Sequence, residues 1–208
     1  MDTEEKYMSH LQGVVKIPTV SSVNDENTDW SQFDRLHQYM QEAWPLIFEK
    51  LSLTRIGKAS LLFHWKSENP KKEPVLFMAH QDVVPAIHEE QWSHPPFEGE
   101  VDGGCLWGRG AEDCKSVLTA EMDAVEELLE EDFAPDFDIY LSFGHNEEVQ
   151  CTPDKKGSVL TAAYLKEQGI HLACLFDEGG NVEEGREGEP PLALVGMAEK
   201  APNEFVLY

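Results

Sequence analysis

Apolar positions along this chain change period several times, and each change marks an element. Over residues 3–15, Tyr7, Leu11 and Val14 share one helical face, and Pro18 stops the run. Trp30, Phe33, Met40, Trp44 and Phe48 fall near helical spacing over residues 29–50, which predicts a longer helix that Pro45 breaks or restarts. The segment SLLFHW (60–65) predicts a strand, and PVLFMAH (74–80) is a continuous apolar run of the kind buried on both faces. A loop rich in Pro, Gly and His runs through WSHPPFEGEVDGG (92–104). Leu118, Met122, Val125 and Leu129 then predict a helix over 115–131. DIYLSFGH (138–145) is a strand, SVLTAAYLKEQG (158–169) a helix closed by Gly169, and HLACLFDEGG (171–180) a strand running into a glycine turn. LALVGMAEK (192–200) is a further strand. Strands alternating with helices predict an α/β fold, a mostly parallel sheet flanked by helices. NEFVLY (203–208) reads as a strand cut short, so the sequence is expected to be a fragment of a longer protein.

Composition narrows the partners. The 208 residues suffice for one sizeable domain with a core, and 41% are hydrophobic. Lys and Arg number 16 against 40 Asp and Glu, a formal charge of −24. A surface of that sign repels nucleic acid and anionic membranes, which excludes both as partners. Acidic runs such as EELLEED (126–132) and EEGREGE (183–189) read as solvated faces. No stretch approaches the roughly 18 apolar residues of a membrane span, and the charged start MDTEEKYMSH has no signal-peptide core. Cys105, Cys114, Cys151 and Cys174 show no CxxC spacing, as expected of free thiols in a reducing compartment; a cytoplasmic location is one reading, and the compartment stays open.

Chemistry gathers where strands end. His80, Gln81 and Asp82 follow the run at 74–79, Glu147 and Glu148 follow the strand at 138–143, and Asp177 follows HLACLF. Asp113 sits in a glycine-flanked turn, WGRGAEDCK (107–115), immediately before a helix. Open parallel sheets place ligand sites beyond the carboxyl ends of their strands. Singly, each residue has a plainer reading: Asp113 as a helix cap, Asp177 as a turn residue, the glutamate pair as solvated acids. Their joint order favours a metal, because converging carboxylates are costly unless a cation neutralises them. His plus carboxylates suits zinc, or manganese or cobalt, and a bridging carboxylate suits two ions about 3.5–4 Å apart. Adjacent strand residues face opposite ways, so Glu147 and Glu148 need a turn beyond the strand to aim both.

Together, MAHQDVVP (78–85), WSHPPFEGEVDGG (92–104), WGRGAEDCKS (107–116), FGHNEEV (143–149) and DEGG (177–180) resemble the zinc metallopeptidase family of carboxypeptidase S, glutamate carboxypeptidase and aminoacylase. The HPPF loop and DEGG resemble most of all the carboxypeptidase S and N-acyl-amino-acid hydrolase branch. The resemblance implies a co-catalytic zinc exopeptidase fold and hydrolysis of an amide beside a free carboxylate, in a small peptide or an N-acyl amino acid. It implies two Zn2+ per complete active site, with Mn2+ or Co2+ as substitutes. His80 would bind one zinc, Asp177 the same one, Glu148 the second, and Asp113 would bridge them. Asp82 would hydrogen-bond the other nitrogen of His80, and Glu147 would be the general base.

Several residues depart from that pattern. Asn146 and Cys114 stand where the family often has Asp, and VQCTPDKKGS (149–158) replaces a glycine-rich stretch. Arg109 and Lys115 fit the turn as structural positions. The resemblance assigns 1–195 to the N-terminal part of a catalytic domain and 196–208 to the start of a lid or dimerisation domain, with the full-length form a homodimer. It implies a further histidine for the second zinc, and none of His10, His37, His64, His88, His94, His145 and His171 matches that position. The 208 residues are thus expected to hold the second zinc weakly. The rival expectation is a truncated, non-catalytic copy that binds at most one metal.

Overall fold

The computed structural model describes residues 3–180, 182–186 and 188–197. The strand expected at 203–208, and most of the expected lid segment, lie outside the described residues. The chain divides into two compact units, Met1–Phe176 and Asp177–Tyr208.

The first unit is built on a five-stranded sheet. Its strands are β1 (Ser52–Ile56), β2 (Ser60–Trp65), β3 (Val75–His80), β6 (Ile139–Gly144) and β7 (Cys174–Phe176), in the order β1-β2-β6-β3-β7. Between β3 and β6 in sequence lies a small separate hairpin of β4 (Glu100–Asp102) and β5 (Cys105–Trp107). β3 runs parallel to β6 and β7, whereas β1, β2 and β6 pair antiparallel. The sheet is therefore mixed, parallel only in the half that carries the candidate chemistry. β1 and the β4–β5 hairpin are additions to the elements that the pattern predicts. Gly57, at φ 60°, provides the left-handed step that turns β1 back into β2.

Helices cover both faces. They are α1 (Thr3–Val15), α2 (Trp30–Ala43), α3 (Pro45–Lys50), α4 (Lys115–Glu130) and α5 (Gly157–Glu167). Alternate residues of the central strands go to opposite sides, as the pleat requires. Leu61, Phe63, Ile139, Leu141 and Phe143 join α1 to α4 in the larger core, while Leu62, Leu76 and Tyr140 meet Leu165 of α5 on the other face. This two-sided burial explains the continuous apolar runs at 74–80 and 138–143. Pro45 does restart the helix: Trp44 ends α2, and Pro45 opens α3 where its missing N–H costs nothing. The acids of α4 are not all solvated. Glu126 is buried and accepts the main-chain N–H groups of Leu46 and Ile47, capping α3 from another helix.

The second unit contains a short antiparallel pair, β8 (Val182–Glu183) with β9 (Leu192–Ala193). Of the strand expected at 192–200, residues 192–197 are described and only Leu192–Ala193 is strand; the remainder lies outside the described residues. Among the described residues no helix is long and apolar enough to cross a membrane, and Cys105, Cys114, Cys151 and Cys174 are all free thiols.

Candidate metal centre

The fold brings His80, Asp82, Asp113, Glu147 and Glu148 together from three places in the chain. β3 and β6 run side by side in parallel with His80 opposite Gly144, so the segments that follow them leave the sheet at one edge. Gln81 fastens the two exits: its main-chain N–H donates to Gly144 O at 2.9 Å, and its amide donates to the carbonyls of Ala59 and Phe143.

After Gly144 the chain turns through His145 and Asn146. Asn146 is buried at φ 57°, a left-handed conformation that Asn tolerates better than most residues. Its side-chain amide donates to Lys155 O at 3.2 Å. The segment at 149–158 is thus a packed turn: a 3-10 helix at Pro153–Lys155 leads into α5, and Gly157 N returns to His145 O at 2.9 Å. The turn resolves the adjacency of the two glutamates. Their consecutive main-chain N–H groups both point at the Asp82 carboxylate, Glu147 N to Oδ1 and Glu148 N to Oδ2, each at 3.2 Å.

Asp113 arrives from the turn before α4. Gly110 makes that turn possible at φ 80°, with its α-carbon so close to Val83 that a β-carbon would collide. Lys115 N closes it onto Gly110 O at 3.0 Å. The Asp113 Oδ1 atom stands 2.8 Å from His80 Nε2, and Glu147 Oε2 stands 4.0 Å from the same nitrogen. Cys114 is buried beneath, its Sγ accepting the His80 main-chain N–H at 3.1 Å. Arg109 places its main-chain N–H on Pro96 O at 2.7 Å and its guanidinium over the Trp92 ring.

The link from Asp82 to His80 takes a different route from the one implied by resemblance. His80 Nδ1 meets the main-chain oxygen of Asp82 at 2.8 Å, while the Asp82 carboxylate lies 3.8 Å away. A carbonyl only accepts, so Nδ1 carries the proton and Nε2 of a neutral imidazole carries a lone pair. That lone pair faces a carboxylate oxygen at 2.8 Å. Either a proton on Nε2, which makes the two residues an ion pair, or a divalent ion bound beside both atoms satisfies that contact, and the donor set fits the ion. Cys114 Sγ lies within 4.8 Å of the His80 and Asp113 ligand atoms. Burial, reinforced by the negative charge of Asp113, raises the pKa of Glu148. Asp177 opens the second unit, where its Oδ1 accepts the Glu178 main-chain N–H at 2.8 Å.

Sequence reasoning missed Ser21. Its hydroxyl donates to Asp82 Oδ2 at 2.6 Å from 61 residues away, and one of several serines in a loop carries no signal of such a contact.

This combination of an α/β sheet with histidine and acids at the exits of its parallel strands is that of a metal-dependent peptidase fold. The chain belongs to peptidase family M20/M25/M40, whose family model matches residues 76–192, more than half of the sequence. It is 37% identical over 189 residues to carboxypeptidase S of Saccharomyces cerevisiae, covering 84% of this chain and 32% of the yeast protein. It is 35% identical over 201 residues to the mouse N-fatty-acyl-amino acid synthase/hydrolase PM20D1, covering 95% of this chain and 39% of that protein. The chain therefore spans about a third of the length of these curated relatives. Among solved structures, it superimposes on an M20 family metallo-carboxypeptidase from Sulfolobus solfataricus with a TM-score of 0.63 at 21% identity, over 88% of this chain and 38% of that one. Human carnosine dipeptidase 1 gives the same TM-score at 19% identity, over 86% and 41%. The fold is shared with both.

Proposed function

We propose that these residues form the N-terminal part of a two-zinc hydrolase. It would cleave an amide beside a free carboxylate, in small peptides or N-acyl amino acids. The observation that carries this reading is the 2.8 Å approach of His80 Nε2 to Asp113 Oδ1, with Glu147 Oε2 at 4.0 Å. The similarity to carboxypeptidase S and to an N-fatty-acyl-amino acid synthase/hydrolase supports the substrate class.

His80 and Asp113 would hold one ion, with Asp177 assigned to it by the resemblance alone, and Asp113 and Glu148 would hold the other. Zn2+, or Mn2+ or Co2+ in its place, would supply a lowered water pKa and charge stabilisation at the carbonyl oxygen. Glu147 stands near enough to His80 to accept a proton from the attacking water and return it to the leaving amine. Its main-chain N–H on Asp82 fixes where that carboxylate starts from. Cys114 Sγ, under the His80 amide, holds the histidine backbone from below.

The test is Glu147→Gln measured beside the unaltered chain. Turnover of N-acyl amino acids and blocked dipeptides should be lost while zinc content stays unchanged. A chain that binds zinc and hydrolyses none of these substrates supports the second reading, a non-catalytic copy. That reading is favoured by a donor count of two for the second ion, and it expects at most one tight zinc per chain.

A further inference from the structure

Asp82 is fully buried, and its carboxylate is the hub of the site. It receives the N–H groups of Glu147 and Glu148 from one side and the hydroxyl of Ser21 from the other. Ser21 belongs to a segment, residues 17–21, laid along the chain just after β3 as a short parallel strap. Val20 bridges Val83, Val83 N donates to Thr19 O at 3.0 Å, and Ser21 N donates to Val83 O at 3.2 Å. The Thr19 hydroxyl donates to Gln81 O at 2.6 Å, so the strap grips the main chain on both sides of Asp82. Its other end is pinned beside Asp113. Lys115, two residues further on and wholly buried, donates its ammonium to Val14 O at 2.9 Å and Ile17 O at 2.6 Å.

We infer that Ser21 is a positioning residue of the metal centre: its hydroxyl fixes the Asp82 carboxylate, and through it the Glu147–Glu148 turn relative to His80. The inference rests on the metal reading above. Each Asp82 oxygen takes one glutamate N–H, so the angle of the carboxylate sets the height of both glutamates. A short hydrogen bond to an ionised acceptor in a dry setting is the strong kind. Without it, the carboxylate retains two weaker 3.2 Å bonds and is free to rotate toward either. The glutamates would then lose the common anchor that the turn at Asn146 alone does not provide.

The test compares Ser21→Ala, Ser21→Thr and Ser67→Ala in the full chain, with Co2+ as the probe. Ser67 is the control, an equally buried serine whose hydroxyl donates to Pro135 O at 2.7 Å. The first readout is Co2+ affinity by absorption titration. The second, in metal-free protein, is hydrogen exchange at the Glu147 and Glu148 amides. Ser21→Ala should lower Co2+ affinity about 10–100-fold, the range for residues that orient metal ligands, and speed exchange at both amides. Ser21→Thr, which keeps the hydroxyl, should restore both. Ser67→Ala should lower thermal stability and leave both readouts as in the unaltered chain. Equal Co2+ affinity and equal exchange in Ser21→Ala would overturn the inference while leaving the metal reading intact. So would an equal loss in Ser67→Ala. Failure of the unaltered chain to bind Co2+ would overturn the metal reading and the inference with it.

Discussion

Glu126 and Ile47, 79 residues apart, meet where α4 passes the start of α3: Glu126 Oε2 accepts the Ile47 N–H at 3.0 Å, as Oε1 accepts that of Leu46 at 2.9 Å. α3 has no capping side chain of its own, so a buried acid from a neighbouring helix satisfies its exposed donors and complements its dipole. Glu126→Ala should therefore cost on the order of 1–3 kcal/mol, the range for leaving buried donors without a partner. Urea unfolding with an unchanged slope would report it. A loss within experimental error would mean that water replaces the carboxylate.

Leu118 provides a purely apolar comparison. It is fully buried on α4 in the larger core, and nothing polar depends on it. Leu118→Ala should lower stability by about 2–5 kcal/mol through lost transfer energy and the cavity left behind. The urea midpoint should move without a change in slope.

His37 makes stability depend on pH. Gln81 gives both amide hydrogens to carbonyls, so its oxygen accepts from His37 Nε2 at 2.6 Å. His37 Nδ1 is then the acceptor for Arg55 at 3.2 Å. Burial is the main force holding the His37 pKa below 6.5, with the Arg55 charge assisting against the opposing hydrogen bond to Gln81. The unfolded chain thus takes up this proton first as pH falls, and linkage makes the folded state lose stability below pH 6.5. Burial depresses His145 in the same way. Urea midpoints measured downward from neutral pH should fall, and His37→Gln should flatten the slope without abolishing it. An unchanged slope would remove His37 from the account.

Metal should stabilise this chain by mass action. Free Zn2+ at about 100 times its dissociation constant should add roughly 2.7 kcal/mol to the unfolding free energy. A chelator should remove that increment. Asp113→Ala, which deletes the oxygen facing His80 Nε2, should abolish the response to zinc while leaving metal-free stability near that of the parent. Thermal unfolding with and without zinc checks both. A response that survives Asp113→Ala would place the ion elsewhere.

How much of this was legible depends on where the signal resides. The helices at 3–15 and 115–130 and the strands at 75–80 and 139–144 follow from periodicity, because each buries a defined face. β1 was not legible: SLTRI mixes polar and apolar residues on an outer strand that is half exposed. The antiparallel half of the sheet was hidden for the opposite reason. β2 and β6 are buried on both faces, and a continuous apolar run does not reveal the direction of its neighbour. The β4–β5 hairpin is two strands of three residues around Gly103 and Gly104, too short for alternation to register. Glu126 was misplaced among the solvated acids because its partners are main-chain groups of another helix. At the site, the positions of His80, Asp113, Glu147 and Glu148 could be read from strand and helix ends. The role of the Asp82 carboxylate could not, since the N–H groups that it accepts belong to every residue alike.

β7 has β3 as its sole strand partner among the described residues, and its Leu175 and Phe176 are half exposed. Such a rim can recruit a strand from another molecule. Opposing that is the formal charge of −24, which keeps copies apart over a distance set by ionic strength. Added salt should therefore drive this polypeptide to self-associate where it would disperse most highly charged proteins' complexes, and a lysine at position 175 should keep it dispersed.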